Sequence, residues 1–124
     1  MAMYSFYAPI ASMGELNLDW LEADDEHILK IDIPGLTKED LSLQLLAQNI
    51  LQITGVYPKS DASHEAVAHV LERPSGTFLR QYRLPDTVVL EKVQAYDKNG
   101  VLTITIPKLK LPRVRTIPIY VSKL

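Results

Sequence analysis

The chain has 124 residues, of which 47% are apolar and 23% charged, and its formal net charge is -2. These values are typical of one globular domain and exclude the basic surplus of many nucleic-acid-binding proteins, so no nucleic-acid partner is expected. The absence of cysteine excludes disulfides, zinc–thiolate sites and thiol nucleophiles. No apolar run reaches the roughly 20 residues of a membrane span and no secretory leader is visible, so the sequence predicts a soluble, cytoplasmic protein.

Residues 1–18 predict a short apolar N-terminal arm. The first 14 of them carry no charge, and their large apolar side chains include Tyr4, Phe6, Tyr7 and Ile10 together with three methionines. Such a segment is too short to form a core and too apolar to be a well-solvated tail. Two interpretations stay open: a disordered terminus, or an arm that packs on another subunit or on a partner.

The rest of the chain predicts short strands separated by turns. Apolar and polar residues indicate strands at 19–22, 28–33, 41–45, 50–54, 68–72, 77–84, 93–97 and 101–106. Asn99-Gly100 is typical of a tight hairpin turn, and Thr37 is expected to cap a helical turn that contains Asp40. Residues 57–68 are long for a hairpin loop, and loops of this size usually have a function. About seven or eight strands without a convincing helix predict an all-β, antiparallel two-sheet sandwich.

The sequence offers little catalytic or cofactor chemistry. His27, His64 and His69 have no metal-binding spacing, and we expect them to be solvated surface residues. No nucleophile elbow, phosphate-binding loop or dinucleotide fingerprint is present. The sequence therefore predicts neither an enzyme nor a cofactor or metal site.

Two apolar features stand out as candidates for binding a partner. Leu43 and Leu45 lie on a predicted strand whose other face is polar. Ile117, Pro118 and Ile119 follow a polar tether at 108–116, and the proline favours an extended backbone that loses little entropy on docking. These three residues are equally consistent with a docking peptide and with a last strand of the domain itself.

Several of these segments together resemble the small heat shock proteins, the α-crystallin-domain family. The resemblance rests on the hairpin 95–102 with Asn99-Gly100-Val101-Leu102, on Ile33-Pro34-Gly35-Leu36, on the segment 72–85 and on Ile117-Pro118-Ile119. Segment 72–85 looks most like the plant and bacterial branch. The resemblance implies an immunoglobulin-like β-sandwich, the α-crystallin domain, at 19–107, preceded by the arm and followed by a C-terminal extension at 108–124.

The resemblance also implies the activity. Such a protein is an ATP-independent holdase that binds partly unfolded client proteins, slows their aggregation and leaves refolding to ATP-driven chaperones. The arm residues Tyr4, Phe6, Tyr7 and Ile10 are the expected client-binding residues. Because the arm is shorter than is usual in the family, the assembly size stays open. The competing hypothesis is a sandwich adaptor or co-chaperone domain that binds one dedicated partner through the same surface.

For assembly, the resemblance implies a homodimer made by strand exchange. A strand within 57–67 would cross to the partner's sheet near residues 19–22, which places Trp20, Tyr57, Val67 and Arg80 at or near the interface. Arg80 is expected to form ion pairs there; alternatively it is a half-exposed arginine whose stem covers apolar surface.

The C-terminal tail would dock between the strands at 41–45 and 92–96 and build higher oligomers. Leu43, Leu45, Gln94 and Tyr96 are the expected groove residues. Whether Val93 and Ala95 face the groove or the core depends on a register of one residue that the sequence leaves open. The arm residues 7–10 are a further candidate for the same groove.

Overall fold

The computed structural model describes residues 7–58, 66–110 and 116–122. Within these ranges, eight strands and two single-turn 3-10 helices form the fold. The strands are β1 (Ala11–Met13), β2 (Leu18–Glu22), β3 (Glu26–Asp32), β4 (Leu41–Leu46), β5 (Ile50–Tyr57), β6 (Gly76–Arg83), β7 (Gln94–Lys98) and β8 (Val101–Pro107). The 3-10 helices span Lys38–Asp40 and Leu90–Lys92. No helix in the described ranges is long and apolar enough to cross a membrane.

The strands form two four-stranded antiparallel sheets. One sheet has the order β1-β6-β5-β4 and the other the order β2-β3-β8-β7. This arrangement confirms the predicted all-β sandwich. Among the described residues, β4 and β7 are edge strands at one side of the fold, and β1 and β2 are the edge strands at the other ends of the two sheets.

The core lies between the sheets and follows from the period-two alternation of the strands. Because successive side chains of a strand point to opposite faces, every second residue of the central strands turns inward. The side chains that are at most 1% exposed come from both sheets: Leu29, Ile31, Ile33, Leu51, Ile53, Phe78, Ile104 and Ile106. Gly55 lies opposite Phe78 in the β5–β6 ladder, and the phenyl ring occupies the space that a Cβ at Gly55 would need.

The structure confirms two turns that the sequence predicts, one at Asn99-Gly100 and one capped by Thr37. Asn99 and Gly100 adopt φ values of 55° and 76°, as a tight hairpin between β7 and β8 requires. The carboxylate of Asp40 accepts a hydrogen bond from the Thr37 N–H at 2.9 Å and from its hydroxyl at 3.2 Å. This bond closes the short helical turn between β3 and β4, as expected from the capping pattern.

Two strand assignments differ from the sequence-based expectation. The prediction of a strand at 68–72 is wrong, because residues 66–75 form no strand, and Val70 and Leu71 remain 71% and 62% exposed. Apolar content does not make a strand where the described chain offers no neighbouring strand for its backbone hydrogen bonds. The sequence also missed β1, which pairs with β6 through Ala11–Met13. The described part of the N-terminal arm therefore packs on its own domain, while Tyr4 and Phe6 lie outside the described residues.

Candidate functional site

An apolar depression lies between the edge strands β4 and β7. One cavity of about 240 Å³ is lined by Leu43, Gln44, Leu45, Leu51, Leu90, Val93, Gln94, Ala95 and Ile104. A second, of about 660 Å³, is lined by Leu36, Thr37, Lys38, Glu39, Leu41, Leu43, Ala95, Tyr96, Asp97 and Leu102. Leu43 and Ala95 line both cavities, so the two form one continuous depression, which we call the β4–β7 groove.

Strand register explains which residues of β4 reach the groove. Leu43 pairs with Ile53 and Leu45 pairs with Leu51, and both partners are buried in the core. Directly opposed residues share a face of the sheet, so Leu43 and Leu45 point inward. At the edge of the sandwich this inward face is incompletely covered, and Leu45 remains 42% exposed.

The register of β7 resolves the question that the sequence left open. Ala95 pairs with the buried Ile104, so Ala95 lies on the inner face. Val93, two residues earlier, packs partly buried against the core. Gln94 and Tyr96 alternate with these residues and line the cavities from the rim. The groove floor on this side is therefore formed by Val93 and Ala95, which the sequence-based list of groove residues did not include.

The groove combines apolar side chains with unpaired strand edges. The described residues that line the smaller cavity include no charged side chain. Among the described residues, β4 pairs only with β5 and β7 only with β8, so each strand leaves one row of backbone N–H and C=O groups without a sheet partner. An extended peptide can satisfy such groups by adding alongside an edge strand, while its alternate side chains enter the apolar floor.

The described C-terminal segment, 116–122, has no secondary structure. Ile117 and Ile119 are 79% and 94% exposed. The alternative that these residues form a last strand of their own domain is therefore not seen in the described chain. The two isoleucines are not seated in the groove of their own subunit either.

The predicted interface residues are placed in different parts of the fold. Trp20 lies on the edge strand β2 and stacks on Tyr7, with ring centroids 4.4 Å apart. Tyr57 is 6% exposed, and its hydroxyl donates to the carbonyl of Asp32 at 3.1 Å. Val67 is 79% exposed in the segment beside the undescribed residues 59–65.

Arg80 makes contacts that neither sequence-based interpretation anticipated. Its guanidinium donates to the carbonyl oxygens of Met13 at 2.9 Å, Gly14 at 3.0 Å and Leu79 at 2.9 Å. No carboxylate of the described residues forms an ion pair with it. Within one subunit Arg80 therefore ties the N-terminal segment to β6.

His27 is buried, so the expectation that it is a solvated surface residue is wrong. It pairs with Ile106, lies on the inner face of β3 and is 2% exposed. The Trp20 indole N–H donates to its Nδ1 at 3.0 Å. Burial lowers the pKa of His27, while the Glu22 carboxylate 3.7 Å away acts in the opposite direction. The alternation of His27, Leu29 and Ile31 was the sequence signal for this burial.

Glu22 links β2 to the end of β8. Its carboxylate accepts a hydrogen bond from Lys108 Nζ at 2.8 Å, and this bond lowers the pKa of Glu22. The pair is partly exposed to solvent, so its contribution to stability is small. It positions the chain where the C-terminal extension leaves the sandwich.

Comparison with known proteins identifies the family. The Hsp20/alpha crystallin family matches residues 19–120. The 18.1 kDa class I heat shock protein of Arabidopsis thaliana is 38% identical over 112 residues, which cover 89% of this chain and 70% of that protein. The 17.4 kDa class I heat shock protein of Oryza sativa subsp. japonica is 40% identical over 111 residues, covering 88% of this chain and 72% of that protein.

Solved structures agree with the sequence relatives. A small heat-shock protein from Xylella fastidiosa, described as having a distinct high order structure, superposes with a TM-score of 0.73 at 29% identity, covering 86% of this chain and 96% of that one. The hspA protein from Xanthomonas axonopodis superposes with a TM-score of 0.66 at 30% identity, covering 75% of this chain and 92% of that one. The matched span, the relatives and the shared sandwich confirm the resemblance seen in the sequence motifs: the chain belongs to the Hsp20/alpha-crystallin family of small heat shock proteins.

Proposed function

We propose that this small heat shock protein is an ATP-independent holdase that binds partly unfolded proteins and suppresses their aggregation. The observation that carries the proposal is the β4–β7 groove, an apolar surface between two unpaired strand edges. Partly unfolded chains expose extended apolar segments, and these are the ligands that such a groove fits. Refolding is left to ATP-driven chaperones, and the proposed location is the cytoplasm.

The proposed assembly unit is a homodimer made by strand exchange. Two observations support it: β2 has an unpaired edge among the described residues, and Val67, Val70 and Leu71 are 62–79% exposed beside the segment proposed to cross. Trp20 on β2, together with Tyr57, Val67 and Arg80, belongs to the proposed interface. A crossing strand within 57–67 would pair its backbone N–H and C=O groups with the edge of β2 that has no sheet partner among the described residues.

Higher oligomers are proposed to form through the C-terminal tail. Ile117 and Ile119 of one subunit would enter the groove of another, where Leu43, Leu45, Gln94 and Tyr96 lie beside them. The exposure of both isoleucines supports this assignment, because docking would remove most of their apolar surface from water. The proposed assembly is in keeping with the high order structure described for the relative from Xylella fastidiosa.

The N-terminal arm is proposed to bind clients rather than to occupy the groove. Tyr7 and Ile10 are 40% and 49% exposed, and Tyr4 and Phe6 precede them in the sequence. Tyr7 stacks on Trp20 of β2, which is at the opposite edge of its sheet from β7. This placement separates residues 7–10 from the groove.

The holdase proposal is tested by aggregation of an unrelated client on heating, without ATP. Equimolar protein should suppress the scattering. Leu45→Asp, which places a charge in the groove, should weaken the suppression severalfold. Leu46→Asp is the matched control, because Leu46 is adjacent, 36% exposed and on the other face of β4. Normal client aggregation in the presence of the unaltered protein would refute the holdase activity, and equal behaviour of the two variants would refute the role of the groove.

Tail docking is tested by the mass of the assembly. The double variant Ile117→Ala and Ile119→Ala should remain folded but have the light-scattering mass of a dimer. Each anchor contributes roughly 1.5–3 kcal/mol when fully buried, so losing most of two anchors should dissociate a higher oligomer. An unchanged mass at micromolar concentration would contradict tail docking.

A further inference from the structure

The β4–β7 groove is longer than two anchor side chains can cover. Leu41, Leu43 and Leu45 alternate along β4, and the first two line the larger cavity while the last two line the smaller one. Residues two apart in a strand are separated by roughly 6.7 Å, so the three leucines span roughly 13 Å. Two isoleucines at a spacing of two residues reach over only half of that span and leave one leucine uncovered.

The C-terminal tail carries a third apolar residue in the same register. Ile117, Ile119 and Val121 are two residues apart from one another and are 79%, 94% and 89% exposed. In an extended backbone these side chains point to one face, whereas Pro118 and Tyr120 point to the other. The three anchors therefore also span roughly 13 Å, which matches the row of leucines.

We propose that Val121 is a third docking residue, and that the tail of one subunit fills both cavities of the groove of a second copy of this chain. In one direction of docking Val121 covers Leu41, and in the other direction Ile117 covers it. In both directions three anchors are needed to cover three leucines. The proposal rests on the tail docking put forward above and extends it from two anchors to three.

The floor of the larger cavity is suited to an aliphatic anchor. Leu36 and Leu102 are 7% and 5% exposed, and they lie beneath the opening with the partly buried Leu41. The polar residues Lys38, Glu39 and Asp97 line the same cavity but are themselves exposed, so they remain hydrated when an apolar side chain enters. The occupant is a second copy, because all three anchors are exposed within their own subunit.

The test uses the protein with Ile117→Ser, Ile119→Ser and Val121→Ser. In this variant the C-terminal tail can no longer occupy the groove and compete with an added peptide. A labelled peptide of residues 116–122 is titrated against it, and binding is measured by fluorescence anisotropy. Serine in place of Val121 in the peptide should weaken binding by about tenfold, the effect of one buried valine. Serine in place of Tyr120 is the matched control, because Tyr120 is also exposed, at 85%, but points to the other face of an extended tail. Its effect should stay below about twofold.

The outcomes distinguish a failure of the third anchor, Val121, from a failure of tail docking itself. Equal binding of the unaltered peptide and the Val121→Ser peptide would overturn the third anchor but leave the two isoleucines in place. A loss for Tyr120→Ser as large as that for Val121→Ser would also overturn it, because the effect would not depend on the face of the tail. If the unaltered peptide does not bind at all, tail docking itself is wrong, and the third anchor falls with it. A second measurement keeps the chain intact: Val121→Ser should raise the protomer concentration at which oligomers dissociate on dilution, and Tyr120→Ser should not.

Discussion

Gly14 lies directly against the backbone of β6 and leaves no room for a side chain. It follows β1 directly, adopts a φ of +74°, and its carbonyl oxygen accepts a hydrogen bond from Arg80. A Cβ at this position would overlap the carbonyl oxygen of Thr77 and lie 2.9 Å from the Cα of Phe78. Both atoms belong to the backbone of β6, so they cannot move aside as the end of a flexible side chain would.

The cost of Gly14→Ala has two parts. The left-handed backbone costs a residue with a Cβ roughly 1–2 kcal/mol. The overlap is relieved most cheaply by lifting β1 from β6, which also removes the Arg80 hydrogen bonds to Met13 and Gly14 at roughly 1 kcal/mol net each. We therefore expect Gly14→Ala to lower the free energy of unfolding by about 3–4 kcal/mol.

Gly76→Ala is the matched control. Gly76 also has a positive φ, +87°, but nothing lies within 4 Å of a Cβ placed there, so only the backbone strain of about 1–2 kcal/mol remains. Urea denaturation should be followed at one protomer concentration, because assembly makes apparent stability depend on concentration. Amide exchange of Ile10, whose N–H donates to the Gln81 carbonyl at 2.8 Å, should accelerate in the Gly14 variant alone. Equal unfolding midpoints and equal exchange for the two variants would show that β1 is not seated on β6 in solution.

Three further predictions follow from buried or anchoring groups. Because burial lowers the pKa of His27 in the folded protein, the imidazole takes up a proton more readily in the unfolded chain. The free energy of unfolding should therefore fall as the pH drops below about 6.5, by at most about 1.4 kcal/mol per pH unit. His27→Gln should make stability less dependent on pH in this range. Thermal melts from pH 7.5 to 5 check this, and parallel curves would contradict it. Arg80→Met keeps the apolar stem but loses the hydrogen bonds to backbone carbonyls, so the free energy of unfolding should fall by about 1–2 kcal/mol in urea titrations; an unchanged midpoint would remove Arg80 from this anchoring role. Gly55→Ala places a Cβ against the ring of Phe78, 2.6 Å from its Cε1, and should lower the free energy of unfolding by about 1–3 kcal/mol in the same urea titrations. A variant that is more stable than the unaltered protein would mean that the ring has room to shift.

The parts of the fold that the sequence predicted correctly depend on neighbouring residues. Alternation along 28–33 and 101–106 identified the two central strands of one sheet, and Asn99-Gly100 identified the turn before the second of them. Strand periodicity and positive φ are properties of a few consecutive residues, so a single sequence is enough to read them. The family resemblance was likewise carried by short motifs in a fixed order, and the match at 19–120 confirms it.

The features that the sequence missed depend on residues far apart in the chain. β1 is a strand because it pairs with the edge of β6, whereas residues 66–75 pair with no strand of the described chain. The contact of Arg80 with Met13 joins residues 67 positions apart. Such pairings are decided by which strands become neighbours, and local propensity carries no information about that choice.

The β4–β7 groove also combines features that the sequence determined with features that only the tertiary structure decided. The sequence by itself determined that Leu43, Leu45 and the isoleucine pair at 117 and 119 are candidates for binding a partner. The leucines alternate with Ser42 and Gln44, and the isoleucines follow the polar tether at 108–116. Only the tertiary structure decided that β4 and β7 form adjoining edges, that Val93 and Ala95 turn to the floor, and that three leucines lie in one row. The physical reason is that a one-residue change of register would reverse every side chain of β7. The face of the β7–β8 hairpin that turns to the core is set by the pairing of β8 with β3, which lies about 70 residues earlier in the chain.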